Sequence, residues 1–161
     1  MTVAEYNKCV DEYADRVFRF ILKNLKDEDR AKDIVQDSFE KLWMKTAEVS
    51  YEKVRSYLFT TAYHTMIDQI RKENRMDDFE KIKEQDFSHR TQYSDLHELL
   101  DQAIQKLPEI QKSVILLRDY EGYSYKEIAD ITELSEDQVK VYIYRGRMFL
   151  KQYISSIEAV I

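Results

Sequence analysis

The sequence predicts an all-α protein: two small helical domains joined by a flexible linker. Three observations lead there. Among 161 residues only Gly122 and Gly146 are glycine and only Pro108 is proline, whereas the tight turns of a many-stranded β fold need these residues. Apolar residues make up 43% of the chain and recur at steps of three and four, as on a helix with one buried face. Charged residues make up 35%, enough to solvate the opposite faces.

The first domain is expected over residues 1–73. Tyr6, Val10, Tyr13, Val17 and Phe20 share one helix face. After the polar break at Lys26, Asp27, Glu28 and Asp29, a second amphipathic helix carries Ala31, Ile34, Val35, Phe39, Leu42 and Trp43, with Asp27 or Asp29 as its N-cap. Trp43 reads as core. A third helix carries Val54, Leu58, Ala62, Met66, Ile67 and Ile70, with Phe59 and Tyr63 at the edge of its buried face. Residues 74–95 hold six acidic and four basic residues and few apolar ones. Without periodicity they read as a tether that buries no core of its own.

The second domain is expected over residues 96–161. Leu96, Leu99, Leu100, Ala103, Ile104 and Leu107 form one stripe. Pro108 fits the first position of the next helix, where its missing N–H costs nothing. That helix carries Ile110, Val114 and Leu117 and ends near Gly122, a left-handed cap. Two capping boxes follow, Ser124 with Glu127 and Ser135 with Gln138, each satisfying backbone donors at a helix start. The helices they open flank a turn around Thr132, Glu133 and Leu134, a helix-turn-helix pattern.

The last helix holds the strongest chemical signal. Val139, Ile143, Gly146 and Leu150 should face inward. Lys140, Tyr144, Arg147 and Lys151 line another face, with Val141 and Arg145 beside them. The net charge is −6, which disfavours a general nucleic-acid binder. Yet residues 138–157 hold four basic residues and no acidic one, a local concentration that phosphates reward. On spacing alone the stripe equally fits a solvated terminal helix.

Other chemistries lack support. Cys9, the one cysteine, has no partner for a disulfide and no sequence neighbour to activate it, which suits a reducing compartment. It reads as a small residue on a helix. No apolar run reaches the roughly 20 residues that cross a bilayer, and the first residues lack the apolar segment of a signal peptide. A cytoplasmic protein with no membrane insertion is expected. His64, His89 and His97 have no metal-ligand spacing, and there is no glycine-rich phosphate loop. No metal and no cofactor are expected, and no enzymatic activity.

Residues 123–154, YSYKEIADITELSEDQVKVYIYRGRMFLKQYI, with the preceding LDQAIQKLPEIQKSVILLRDYEG, closely resemble region 4 of extracytoplasmic-function sigma factors. DRAKDIVQDSFEKLWMK resembles their region 2.2, and VRSYLFTTAYHTMIDQIRK their regions 2.3 and 2.4. Two motif sets in the family's order make the match specific. The resemblance implies a protein that directs bacterial RNA polymerase to promoters and assists strand opening. Its implied partners are core RNA polymerase (the beta-prime clamp helices and the beta flap), promoter DNA and, as for many relatives, an anti-sigma factor.

By the same resemblance, Asp33, Gln36, Asp37 and Glu40 would dock on the basic clamp helices. Residues 46–53 match the loop that captures a base flipped from the minus-ten element. Tyr51, Tyr57, Phe59 and Tyr63 would offer aromatic faces there, some of them being core instead, and Arg55, Arg71, Lys72 and Arg75 would contact phosphates. Without the resemblance, Arg71 and Lys72 equally suit a solvated helix C-terminus. His64 stands where many members carry asparagine beside the non-template strand. Lys140, Val141, Tyr144 and Arg145 would meet minus-thirty-five bases, and Arg147 and Lys151 phosphates. Tyr142 departs from the family, which often has arginine there. Two other readings compete: a stand-alone helix-turn-helix regulator, for which the DIVQD segment and the aromatic cluster have no use, and an α-helical enzyme, which lacks a catalytic constellation.

Overall fold

A computed structural model describes residues 1–80 and 96–160, and the regular structure among them is entirely helical. Helix α1 (Val3–Leu25) opens on a capping box, with Thr2 Oγ1 accepting from the Glu5 N–H and the Glu5 carboxylate accepting from the Thr2 N–H. It ends where Lys26 turns left-handed at φ 58°. Helix α2 (Glu28–Met44) is capped by Asp27, whose Oδ1 accepts from the Arg30 N–H. A 3₁₀ turn, Tyr51–Lys53, leads into α3 (Val54–Glu80).

These three helices bury Cys9, Val17, Phe20, Ile21, Ala31, Ile34, Leu42, Val54, Leu58, Ala62 and Met66. Each of the larger side chains stabilises the lobe by about 1.5–3 kcal/mol relative to exposure. Helix α3 continues through residues 74–80, where a tether was expected. Local charge does not stop a helix that Ile67 and Ile70 anchor on the core. The rest of the expected tether, residues 81–95, lies outside the described residues.

In the second lobe, α4 (Leu96–Gln105) precedes α5 (Glu109–Ile115), which widens into a π turn, Leu116–Tyr120. Helix α6 (Tyr125–Thr132) and helix α7 (Glu136–Val160) complete it. Both expected capping boxes form, with bonds of 2.8–3.1 Å. Gly122 takes the expected left-handed conformation, φ 77°, and Glu133 takes φ 64° in the turn between α6 and α7. Gly146 lets α5 and α7 meet: a Cβ there would lie 2.3 Å from Ile115 Cδ1.

Several expectations need correction. Pro108 sits at the cap of α5, one residue before the position foreseen, because its extended ψ of 149° leaves it outside the helix. Leu150 is only half-buried and Leu96 is exposed, since each lies toward the end of its apolar stripe. Phe59 and Tyr63 are buried, not marginal. Phe59 packs between Phe20 of its own lobe and Tyr123 of the other, at ring-centroid distances of 5.4 Å each. The two lobes thus share one continuous core.

Trp43 is the converse case: it is 50% exposed, not core. The buried stripe of α2 runs through Ala31, Ile34, Ser38 and Leu42. Trp43 is rotated about 100° beyond Leu42, and its ring rests on the edge of Tyr6 at 5.0 Å.

Candidate functional site

Three surfaces carry the candidate residues. The first is the outer face of α2. Asp33, Gln36, Asp37 and Glu40 are all exposed there, at spacings of three and four that align them along one stripe. Trp43 and Met44, 50% and 81% exposed, continue the same stripe. Gln36 also borders a shallow groove of about 430 Å³ between α1 and α2, floored by Ala14, Phe18 and Val35. The face therefore combines negative charge, largely exposed apolar side chains and a groove.

The second surface lies where the 3₁₀ turn meets α3. Glu48, Val49, Ser50, Lys53, Ser56, Tyr57, Thr60 and Thr61 enclose an open hollow of about 640 Å³. Hydroxyls, a carboxylate and an ammonium can offer both donors and acceptors to a flat polar ligand. Tyr57 lines the hollow, while Tyr51 is half-buried against the core beside it. Ser56, Thr60 and Thr61 were not foreseen; a one-turn spacing of hydroxyl residues on α3 was the signal.

The remaining residues expected near this surface divide. Arg71 and Lys72 are exposed. Arg55 turns instead toward the second lobe. Its Nη2 donates to the Glu121 carbonyl at 2.5 Å, and its guanidinium lies 4.1 Å from the Tyr123 ring centroid. Its Nε is buried without a hydrogen-bond partner. His64 also faces that lobe, with Nε2 4.0 Å from the Glu133 carboxylate. Burial pushes the Tyr63 phenol up to about 12 and raises that of Tyr123 as well, so both stay neutral in the interior.

The third surface is α7. Val139 and Ile143 anchor it on the lobe's core, while Gly146 meets α5. Lys140, Val141, Tyr144, Arg145 and Lys151 all face solvent. Val141, Tyr142 and Arg145 border a hollow of about 200 Å³ with Asp137 and Gln138. Tyr142, half-buried, packs toward the core. Arg147 is occupied: it donates to both Asp119 oxygens, at 2.5 and 3.2 Å, and this hydrogen-bonded carboxylate raises its pKa further. The ion pair ties α7 to the end of the π turn. Arg118 and Lys140 both lie over the Tyr125 ring, at 4.4 and 5.7 Å from its centroid, which gathers positive charge at the start of α6.

This two-lobed arrangement coincides with known families. Residues 9–76 match the model for sigma-70 region 2, and residues 97–150 match that for sigma-70 region 4. The sigma factor SigV of Bacillus subtilis (strain 168) is 31% identical over 152 residues, spanning 89% of this chain and 87% of SigV. The chain belongs to the extracytoplasmic-function sigma factors of the sigma-70 family. The extracytoplasmic-function sigma factor SigM of the same organism is 26% identical to this sigma factor, across 86% of this chain and 88% of SigM. Its fold matches that of the sigma factor RpoE in a co-crystal with the anti-sigma factor NepR from Bartonella quintana. There the TM-score is 0.81 at 24% identity, covering 95% of this chain and 98% of that one. CnrH, solved with the cytosolic domain of CnrY, gives a TM-score of 0.68 at 21% identity, covering 94% and 88%. No described helix of this sigma factor is long and apolar enough to cross a membrane.

Proposed function

We propose that this sigma factor works in the cytoplasm, where it joins core RNA polymerase, directs it to specific promoters and assists strand opening without catalysing a reaction itself. The observation that carries the reading is the separation of charge between the lobes. An acidic stripe on α2 and a basic, solvent-facing stripe on α7 occupy one chain of net charge −6. A regulator that only bound DNA would have no use for the first. The division of labour follows, with residues 1–73 holding polymerase and the minus-ten element, residues 96–161 the minus-thirty-five element, and residues 74–95 linking them.

Asp33, Gln36, Asp37 and Glu40 would meet the basic clamp helices of the beta-prime subunit, where opposite charge speeds encounter and orients docking. Trp43 and Met44 extend that stripe and would add apolar contact. The second lobe would lie on the beta flap. The hollow around Tyr57 would receive a flipped minus-ten base, with Tyr51 beside it. Flipping costs a few kcal/mol, offset by stacking of about 1–3 kcal/mol per base and by the surrounding hydroxyls. Arg71 and Lys72 would hold the adjacent phosphates. Arg55 and His64 could join them only after leaving the second lobe. Binding energy for the single strand shifts the duplex equilibrium, so opening needs no chemical step. The RpoE–NepR structure supports an anti-sigma factor as a further partner.

Run-off transcription with core polymerase over a promoter library tests the whole reading: defined start sites are expected, and their absence would defeat it. Two variants divide the surfaces. Asp37→Arg should weaken core binding about tenfold or more at low salt, since a like charge would then face the clamp. Unchanged affinity in the folded variant would remove α2 from the docking surface. Tyr51→Ala combined with Tyr57→Ala should leave core binding intact but lower permanganate reactivity of the melted thymines. Normal footprints would give these tyrosines a structural role only.

A further inference from the structure

Helix α7 carries apolar residues on two opposite sides. One side is the buried set of Val139, Ile143 and Gly146. The other is made by Val141, Tyr144 and Met148, which are 43%, 65% and 38% exposed. At about 100° per residue, spacings of three and four align these three in one stripe, about half a turn around the helix from the buried set. An amphipathic helix ordinarily sets polar residues opposite its core, so three apolar side chains in line there call for a partner.

The flanks of the stripe say what that partner is. By the same helical geometry Arg145 lies on one side of it and Lys140 and Lys151 on the other, and all three are exposed. No acidic residue occurs from 138 to 157. A ligand that fits has negative charge along both edges and small apolar groups between them. The major groove of B-DNA has that form, with phosphates along its rims and the 5-methyl group of each thymine on its floor. A helix enters this groove with its first turns against the base edges, and Val141 and Tyr144 lie within the first three turns of α7. Val141 and Arg145 also border one hollow of about 200 Å³ with Asp137 and Gln138. The Asp137 carboxylate suits a base edge there, where it can accept from a cytosine amino group.

We propose that Val141 determines specificity by packing on the 5-methyl group of a thymine within two base pairs of the guanine that Arg145 bonds. The inference rests on the promoter-directing reading above and names the base chemistry of its minus-thirty-five surface. Val141 and Arg145 are about 6 Å apart along the helix axis, less than two base-pair steps of about 3.4 Å each. Two neighbouring bases therefore meet one helix face, one through a hydrogen-bonding fork and the other through an apolar contact. Cytosine carries only hydrogen at the carbon where thymine carries its methyl group, so a valine there favours thymine without a hydrogen bond. Tyr144 continues the apolar surface along the groove.

The test uses holoenzyme formed with the full chain. Preferred duplexes are first selected from a library randomised across the minus-thirty-five element. Each thymine of a selected duplex is then replaced in turn by deoxyuridine, which lacks only the 5-methyl group, and binding is followed by fluorescence anisotropy. One replacement should weaken binding about fourfold, the worth of one buried methyl group. It should fall within two base pairs of the guanine at which Arg145→Ala relaxes preference. Val141→Ser should weaken binding of the unsubstituted duplex by a similar factor and bind the thymine and deoxyuridine duplexes alike. Val141 is exposed, so circular dichroism of the variant should match that of the parent.

Selected duplexes that tolerate every deoxyuridine overturn the proposal, and so does a Val141→Ser variant that keeps the full difference between thymine and deoxyuridine. A folded Val141→Ser variant that binds every duplex as the parent does would give the stripe to a protein partner and overturn it as well. In each of these outcomes the promoter-directing reading stands. Holoenzyme that selects no duplex at all defeats that reading, and this inference with it.

Discussion

Phe59→Ala is expected to lower the unfolding free energy by about 3–5 kcal/mol, the cost of a buried phenylalanine whose cavity cannot collapse. Phe59 is fully buried and touches Phe20 and Tyr123 from opposite lobes. Both neighbours are held in place: Phe20 by the α1 core, and Tyr123 by Arg55 and the Gly122 turn. The surroundings therefore cannot close over the missing ring. Against a total stability of roughly 5–15 kcal/mol for a typical domain, this loss is large. Urea unfolding followed by circular dichroism measures it. A cost below about 1 kcal/mol would mean that Phe59 sits at a yielding edge and that the shared core is not continuous.

Arg145→Ala is expected to cost about 1–3 kcal/mol on the preferred promoter and to relax preference at one position. Arg145 is exposed on α7 and borders the same hollow as Val141. Its fork can bond guanine O6 and N7 together. Among the described residues no ion pair holds it, in contrast to Arg147, which Asp119 holds by two bonds. Lys151→Ala should instead weaken all sequences alike and lower the salt slope by about one unit. Fluorescence anisotropy of holoenzyme on promoter variants at several salt concentrations separates the two. Equal weakening by both substitutions would make Arg145 a phosphate contact.

The helices and their caps were legible in the sequence because they depend on neighbours within one turn. Ser124 with Glu127 and Ser135 with Gln138 form the bonds their spacing implies. Gly122 stops the preceding helix by a conformation that other residues resist. The three candidate surfaces were legible in part, through stripes on α2 and α7 and through a family resemblance. Thr60, Thr61 and Ser56 were less visible, since a hydroxyl on a helix has no preferred role until a hollow forms beside it.

By itself the sequence determined the all-α class, the positions of most helices, the family and the charge on each face, because periodicity, capping and local charge act over a few residues. Only the tertiary structure decided which aromatics are interior. Phe59 is covered by a tyrosine 64 residues later in the chain, whereas Trp43 rests only part of its surface against Tyr6 and stays 50% exposed. It also decided that Arg55 and His64 meet Glu121 and Glu133 and that Lys112 caps a helix 88 residues away. Such partners are chosen by how two finished surfaces fit, and no pattern within either helix carries that information.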